Sequence, residues 1–151
     1  MKDIGENIRK IMISAGLSGI VFFVGLVLKL WLEPSLVLEM KRHFDSKPLF
    51  VFRYAAVPVF AAAFAVFLLS LLSLSRDISF SGRKRTVFFI AGLVLTIPWL
   101  VTAVPVILWN SNELKLLIPW TFLLTETRYI YSLLVPFLAG VCLFLGLNKK
   151  G

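Results

Sequence analysis

Four long apolar stretches, separated by polar or basic segments, dominate the pattern of hydrophobic and polar positions along the chain. They run from about residue 11 to 32, 49 to 75, 87 to 109 and 129 to 147. An α-helix needs about 20 residues to cross about 30 Å of hydrocarbon, and each stretch is close to or above that length. Helices are expected because an unpaired peptide group in hydrocarbon costs several kcal/mol. We therefore predict an all-α integral membrane protein, a single domain over residues 1–151 built as a bundle of four transmembrane helices.

The composition agrees with a chain surrounded by lipid. Hydrophobic residues make up 59% of the 151 residues and charged residues 16%, whereas soluble domains have roughly half and a quarter. The net charge of +8 comes from short basic clusters between the apolar stretches, which suits anionic lipid headgroups. No basic face carries the interleaved aromatic residues that single-stranded nucleic acid needs. We expect membrane lipids as partners and no nucleic acid.

The distribution of Lys and Arg predicts the orientation. The two tails and the loop between the second and third stretches carry nine: Lys2, Arg9, Lys10, Arg76, Arg83, Lys84, Arg85, Lys149 and Lys150. The other two loops carry five, or seven when Lys29 and Arg53 are added. By the positive-inside rule both termini are cytoplasmic. Trp and Tyr residues cluster at the opposite boundary, where amphipathic rings prefer to lie. We expect a multi-pass protein of the cell membrane.

Each outer loop contains an apolar segment too short to cross the membrane. In the first, Leu36, Met40 and Phe44 recur at helical spacing after Pro34. In the second, an apolar run surrounds Trp120. We predict short interfacial helices in both loops, and the second either lies flat or re-enters the membrane.

Small residues predict where the helices pack, because membrane helices associate through close backbone approach. The candidate packing positions are Ala15, Gly16 and Gly19 in the first stretch, Ala61, Ala62 and Ala65 in the second, and Ala139 and Gly140 in the fourth. The third stretch places Pro98, Trp99, Thr102 and Pro105 together. Prolines tend to kink a helix, so this face either lines a path or shapes a tight bundle.

Charged residues at membrane depth are candidate functional groups, because each is costly unless paired or hydrated. Lys29, Arg53 and Arg128 fall near the outer boundary, at a similar height to Glu33 and Glu126. The three cations could hold a lipid headgroup or another anion. Internal salt bridges and solvated helix ends are the alternatives.

One short motif resembles a catalytic signature. Gly16, Leu17, Ser18 and Gly19 form G-x-S-G, which is similar to the nucleophile motif of rhomboid intramembrane proteases. The resemblance covers four residues and implies Ser18 as a nucleophile paired with a histidine inside a six-helix core. Here four spans are predicted, and the sole histidine, His43, falls in an outer loop. A serine without a nearby base is a poor nucleophile, so we expect Ser18 to be a packing residue.

These observations favour a non-catalytic membrane protein that acts as an accessory or assembly subunit, packing against other membrane protein subunits or a second copy of itself. The alternative is a small transporter, channel or lipid- or anion-binding protein. No metal site or cofactor is predicted, because His43 and Cys142 are the only side-chain nitrogen and sulfur candidates for a zinc or haem site.

Overall fold

The computed structural model of the chain describes residues 2–43, 47–75, 82–108 and 130–148, and these are helical almost throughout. The elements are α1 (Lys2–His43), α2 (Lys47–Val51), a π-helical turn (Phe52–Ala56), α3 (Val57–Ser75), α4 (Arg83–Leu108) and α5 (Ile130–Leu147). The prediction of an all-helical chain is confirmed over these residues.

The helices differ in their ability to cross a membrane. In the described part of the chain, three segments are long and apolar enough: Ile8–His43, Lys47–Leu74 and Arg83–Val101. The apolar part of the fourth, Leu133–Leu147, is shorter. The chain is thus shown to have three helices of membrane-spanning character, and a fourth crossing by α5 stays a prediction.

The packing order of the long helices differs from their order along the chain. Helix α1 packs along α3, α3 along α5, and α5 along α4. Gly19 of α1 faces Phe67 of α3, and Gly25 faces Phe60. Because the numbers rise on one helix as they fall on the other, α1 and α3 are antiparallel. Helix α4 also meets the π-helical turn, which directly precedes α3.

Helix α1 is longer than the sequence pattern predicts. It continues past residue 32 and through Pro34 to His43 as one helix of 42 residues, so residues 35–43 do not form the separate short helix predicted for the first outer loop. A proline inside a helix removes one backbone hydrogen bond, and here it does not end the helix. At about 1.5 Å per residue, α1 is about 63 Å long, twice the thickness of the hydrocarbon. The second predicted interfacial segment, around Trp120, lies outside the described residues.

Alanines form part of the buried interior together with larger side chains such as Leu49, Phe52 and Phe144, while many other large apolar side chains lie on the outer surface. Among the described residues, the buried hydrophobic side chains include Ala15, Ala65, Ala103 and Ala139, and the hydroxyl-bearing Ser70 is fully buried. On the outer surface Leu17 is 63% exposed and Trp31 80% exposed. The large number of exposed apolar side chains is unusual for a water-soluble domain and is typical of helices that face lipid.

Candidate functional site

The seam between α3 and α5 is a direct backbone contact. A Cβ atom at Gly140 would lie 2.6 Å from the carbonyl oxygen of Ala62 and 3.1 Å from the Cβ of Ala65. Ala139, beside Gly140, is 2% exposed. Four of the small residues predicted to pack, Ala62, Ala65, Ala139 and Gly140, therefore lie at this seam. Ala61, which was predicted with them, lines the groove described below.

The seam between α1 and α3 is a contact of glycines with aromatic rings. A Cβ atom at Gly19 would lie 3.0 Å from the ring of Phe67, and one at Gly25 would overlap the ring of Phe60. Ala15 is buried at the same seam. Gly16, predicted to belong to this face, is instead exposed, and a Cβ there would meet no atom within 4 Å. Gly16 lies on the outward face of α1.

Serine hydroxyls supply polar contacts at the α1–α3 seam. The Oγ atoms of Ser14 and Ser70 lie 3.2 Å apart across it. Ser18 donates to the carbonyl oxygen of Ser14 at 2.6 Å, within its own helix. Ser18 and His43 occupy the same helix, about 37 Å apart along its axis. The structure therefore does not bring together the serine–histidine pair that the rhomboid resemblance implies.

An ion pair joins the C-terminal part of α1 to the π-helical turn. The Nε of Arg53 donates to Glu33 Oε1 at 2.7 Å, and the two side chains are 34% and 14% exposed. Lys29 lies one helical turn before Glu33 on α1 and is half-buried. Of the predicted cationic cluster, the structure thus places Lys29 and Arg53 near one acid, while Arg128 and Glu126 lie outside the described residues.

Trp99 forms a contact that the sequence did not reveal. Its indole Nε1 donates to the carbonyl oxygen of Tyr54 at 3.1 Å. In a regular α-helix that oxygen would accept the N–H of residue 58, but Pro58 has none. The chain forms a π-helical turn at this point, in which the N–H of Val57 bonds to Phe52. Trp99 therefore fastens α4 to a helix interrupted by proline.

The predicted path-lining face is only partly described. Pro98 occupies an exposed position and Trp99 a half-buried one. Thr102 and Pro105 lie in α4, but their side chains lie outside the described part of the structure. The described atoms thus assign Trp99 to helix packing.

The contact between α4 and α5 was not predicted from the sequence, although glycines from both helices form it. A Cβ at Gly146 would lie 2.6 Å from Phe89 Cα, and one at Gly92 would lie 2.9 Å from the backbone nitrogen of Leu143. Arg85 donates to the carbonyl oxygen of Gly146 at 2.9 Å. Gly92 and Gly146 satisfy the same small-residue criterion used for the other helices, so the signal was present in the sequence.

An apolar groove of about 560 Å³ opens between α1, α3 and α5. Its inner end is formed by one phenylalanine from each helix: Phe22 stacks on Phe64 with ring centroids 4.5 Å apart, and Phe64 lies 6.2 Å from Phe137. Lys29 lines the groove about 10 Å further along α1. The lining residues are Phe22, Gly25, Leu26, Lys29, Val57, Phe60, Ala61, Phe64, Leu133, Leu134 and Phe137.

The groove depends on the contact between Gly25 and Phe60. Because Gly25 has no side chain, the ring of Phe60 lies directly against the backbone of α1. A larger side chain at this point would push α1 away or turn the ring. This contact could not be predicted from the sequence, because Phe60 is one of 14 phenylalanines and nothing in its spacing distinguishes it.

Metal-binding groups are not gathered within the described ranges. No set of three or more His, Cys, Asp or Glu side chains there is close enough to hold a metal ion, and Cys142 is a free thiol. No protein-family model, curated protein or solved structure matches the chain.

Proposed function

We propose that the protein is a non-catalytic subunit of the cell membrane that crosses the bilayer four times with both termini in the cytoplasm. Helix α5 has 18 residues, which corresponds to about 27 Å, close to the hydrocarbon thickness of about 30 Å. The cations Arg83, Lys84 and Arg85 at the start of α4 and the exposed Trp31 near the other boundary support this orientation.

The proposed action is to bind another membrane protein, or a second copy of the chain, through the outward face of α1. In the described part of the chain, α3 is the helix along which α1 packs. The opposite face is apolar and exposed at Ile13, Leu17, Ile20, Val24, Val27 and Trp31. Lipid alone could cover these side chains.

Gly16 is the observation that favours a helix partner. It lies among these large residues, is exposed, and would have open space around a Cβ. A glycine on a lipid-facing surface offers little to lipid, whereas it allows the backbone of a second helix to approach closely. The other glycines of α1 within the membrane-spanning part, Gly19 and Gly25, already contact α3.

Photo-crosslinking tests this proposal. Benzoylphenylalanine placed at Leu17 or Ile20 is expected to give a discrete protein adduct in intact membranes, and placed at Val94, on the exposed face of α4, none. Gly16→Leu is expected to remove the adduct without changing thermal stability, because the new side chain meets nothing within the chain. Adducts with lipid alone at every position would contradict a protein partner.

Cysteine labelling tests the orientation. In a Cys142→Ala background, a cysteine at Ser111 is expected to react with a membrane-impermeant maleimide in intact cells, and one at Ser81 to be protected until the cells are opened. Labelling of Ser81→Cys with protection of Ser111→Cys would reverse the proposed topology.

A second candidate function, a lipid- or anion-binding protein or small transporter, is favoured by the groove that Lys29 lines. The groove lies between α1, α3 and α5, away from the Pro98 face of α4, which was the predicted path. Binding therefore has more support than transport.

A further inference from the structure

We infer that the groove between α1, α3 and α5 binds one acyl chain of an anionic phospholipid, whose phosphate contacts Lys29. This inference rests on the proposed function only in requiring that the chain lie in a bilayer with Lys29 near its outer boundary. It does not require a protein partner.

The shape of the groove fits the end of an acyl chain. The Phe22, Phe64 and Phe137 rings close its inner end, and its walls are aliphatic or aromatic. Its volume of about 560 Å³ is within the range of about 300–1,000 Å³ that is typical of small-molecule sites. An extended peptide segment would bring unpaired backbone N–H and C=O groups against apolar walls that offer them no hydrogen-bonding partner.

Charge selects the headgroup. Among the described residues that line the groove, Lys29 is the one with a charge. An anionic phosphate at the outer mouth of the groove complements that charge.

Discrimination between anionic and zwitterionic lipids depends more on the charge of Lys29 than on the apolar walls of the groove. Every lipid tail in a bilayer is already in apolar surroundings, so burial in the groove supplies packing but little hydrophobic gain. Selectivity for an anionic lipid over a zwitterionic one must therefore come from Lys29. The two contributions are separable by mutation.

Native mass spectrometry of the full chain, purified in mild detergent and titrated with palmitoyl-oleoyl phosphatidylglycerol or phosphatidylcholine, tests the inference. The wild type is expected to retain phosphatidylglycerol more strongly. Lys29→Gln is expected to weaken phosphatidylglycerol binding about fivefold and phosphatidylcholine binding less, because the choline cation offsets the charge of the phosphate. Leu26→Trp, which fills the groove, is expected to weaken both by about tenfold.

Matched controls keep the test specific. Lys41→Gln removes an exposed cation of α1 far from the groove, and Leu30→Trp enlarges a leucine of α1 that does not line it; both are expected to bind like the wild type. Equal retention of the two lipids by the wild type, or equal binding by Leu26→Trp and Leu30→Trp, would overturn the inference.

The outcome is distinguishable from failure of the proposed function. Resistance of the wild type to alkaline carbonate extraction reports membrane insertion, and the adduct at Leu17 reports the partner. Loss of lipid selectivity with both of these intact removes the groove inference alone. Loss of the Leu17 adduct with lipid selectivity intact removes the proposed protein partner alone.

Discussion

The two sides of the molecule use glycine in different ways. On the side formed by α3, α5 and α4, glycines contact backbone: Gly140 faces the Ala62 carbonyl and Gly146 faces Phe89 Cα. On the α1 side, Gly19 and Gly25 contact the rings of Phe67 and Phe60. A ring between two helices keeps their axes further apart than a backbone contact does. The wider spacing on the α1 side leaves room for the groove between α1, α3 and α5.

This difference predicts how each side responds to added side chains. A backbone carbonyl cannot move without moving its helix, whereas a phenylalanine ring can rotate into free space. A leucine at Gly140 of the α3–α5 seam should therefore be more destabilising than a leucine at Gly19 of the α1–α3 seam, where the nearest atoms are at the far end of the Phe67 ring. The first two of the four predictions below test this comparison, and the other two test single hydrogen bonds on either side.

Gly140→Leu should have the largest effect. Its Cβ would lie 2.6 Å from the Ala62 carbonyl oxygen, and relief requires the two helices to separate. We expect destabilisation of about 3 kcal/mol, at the upper end of the usual overpacking range. Thermal unfolding in detergent, followed by circular dichroism, measures it. A melting temperature equal to that of the wild type would show that α3 and α5 are not in backbone contact.

Gly19→Leu should have a smaller effect. Its Cβ would lie 3.0 Å from the ring of Phe67, which can give way, so we expect about 1 kcal/mol. Gly16→Leu is the matched control, because open space surrounds that position, and its stability should equal the wild type. The comparison of the two sides fails if Gly19→Leu is as destabilising as Gly140→Leu in the same thermal assay.

Trp99→Phe should cost about 1 kcal/mol through loss of the hydrogen bond to the Tyr54 carbonyl. The ring remains, so packing changes little. Combining it with Pro58→Ala gives a sharper test, because alanine restores an N–H to that part of the helix. Trp99→Phe should then cost less than in the wild type. An unchanged cost would mean that the indole does not compensate for the proline.

Ser18→Ala should have the smallest effect, within about 0.5 kcal/mol. Its hydroxyl bonds to a carbonyl of its own helix, and that carbonyl also belongs to the helical ladder. The measurements are thermal stability and membrane hydrolase activity. Abolition of a hydrolytic activity with stability unchanged would instead support the rhomboid resemblance.

The features that follow from solvent and small-residue arguments were predictable from the sequence. Long uncharged stretches predict helices wherever they occur, and the described helices follow them. Ala62, Ala65 and Gly140 were predicted as packing positions, because small residues in membrane helices allow close contact, but which helices they join was not predicted. The distinction between Gly16 and Gly19 did not follow, since which side of α1 meets α3 depends on the assembled bundle.

Features decided by single contacts were not predictable. The continuation of α1 through Pro34 depends on whether the loss of one hydrogen bond outweighs an otherwise favourable helix. The π-helical turn and its bond from Trp99 join residues far apart in the chain. The groove depends on Gly25 of α1 lying opposite Phe60 of α3. No local sequence pattern specifies how far one helix is shifted along the other.

The most direct test of the central claim, that lipid surrounds these helices, is the state of the chain with and without lipid. Size-exclusion chromatography with light scattering should find a monodisperse protein in lipid nanodiscs and none in detergent-free buffer, where it should aggregate or precipitate. A stable monodisperse species in plain buffer would contradict the membrane assignment and every proposal built on it.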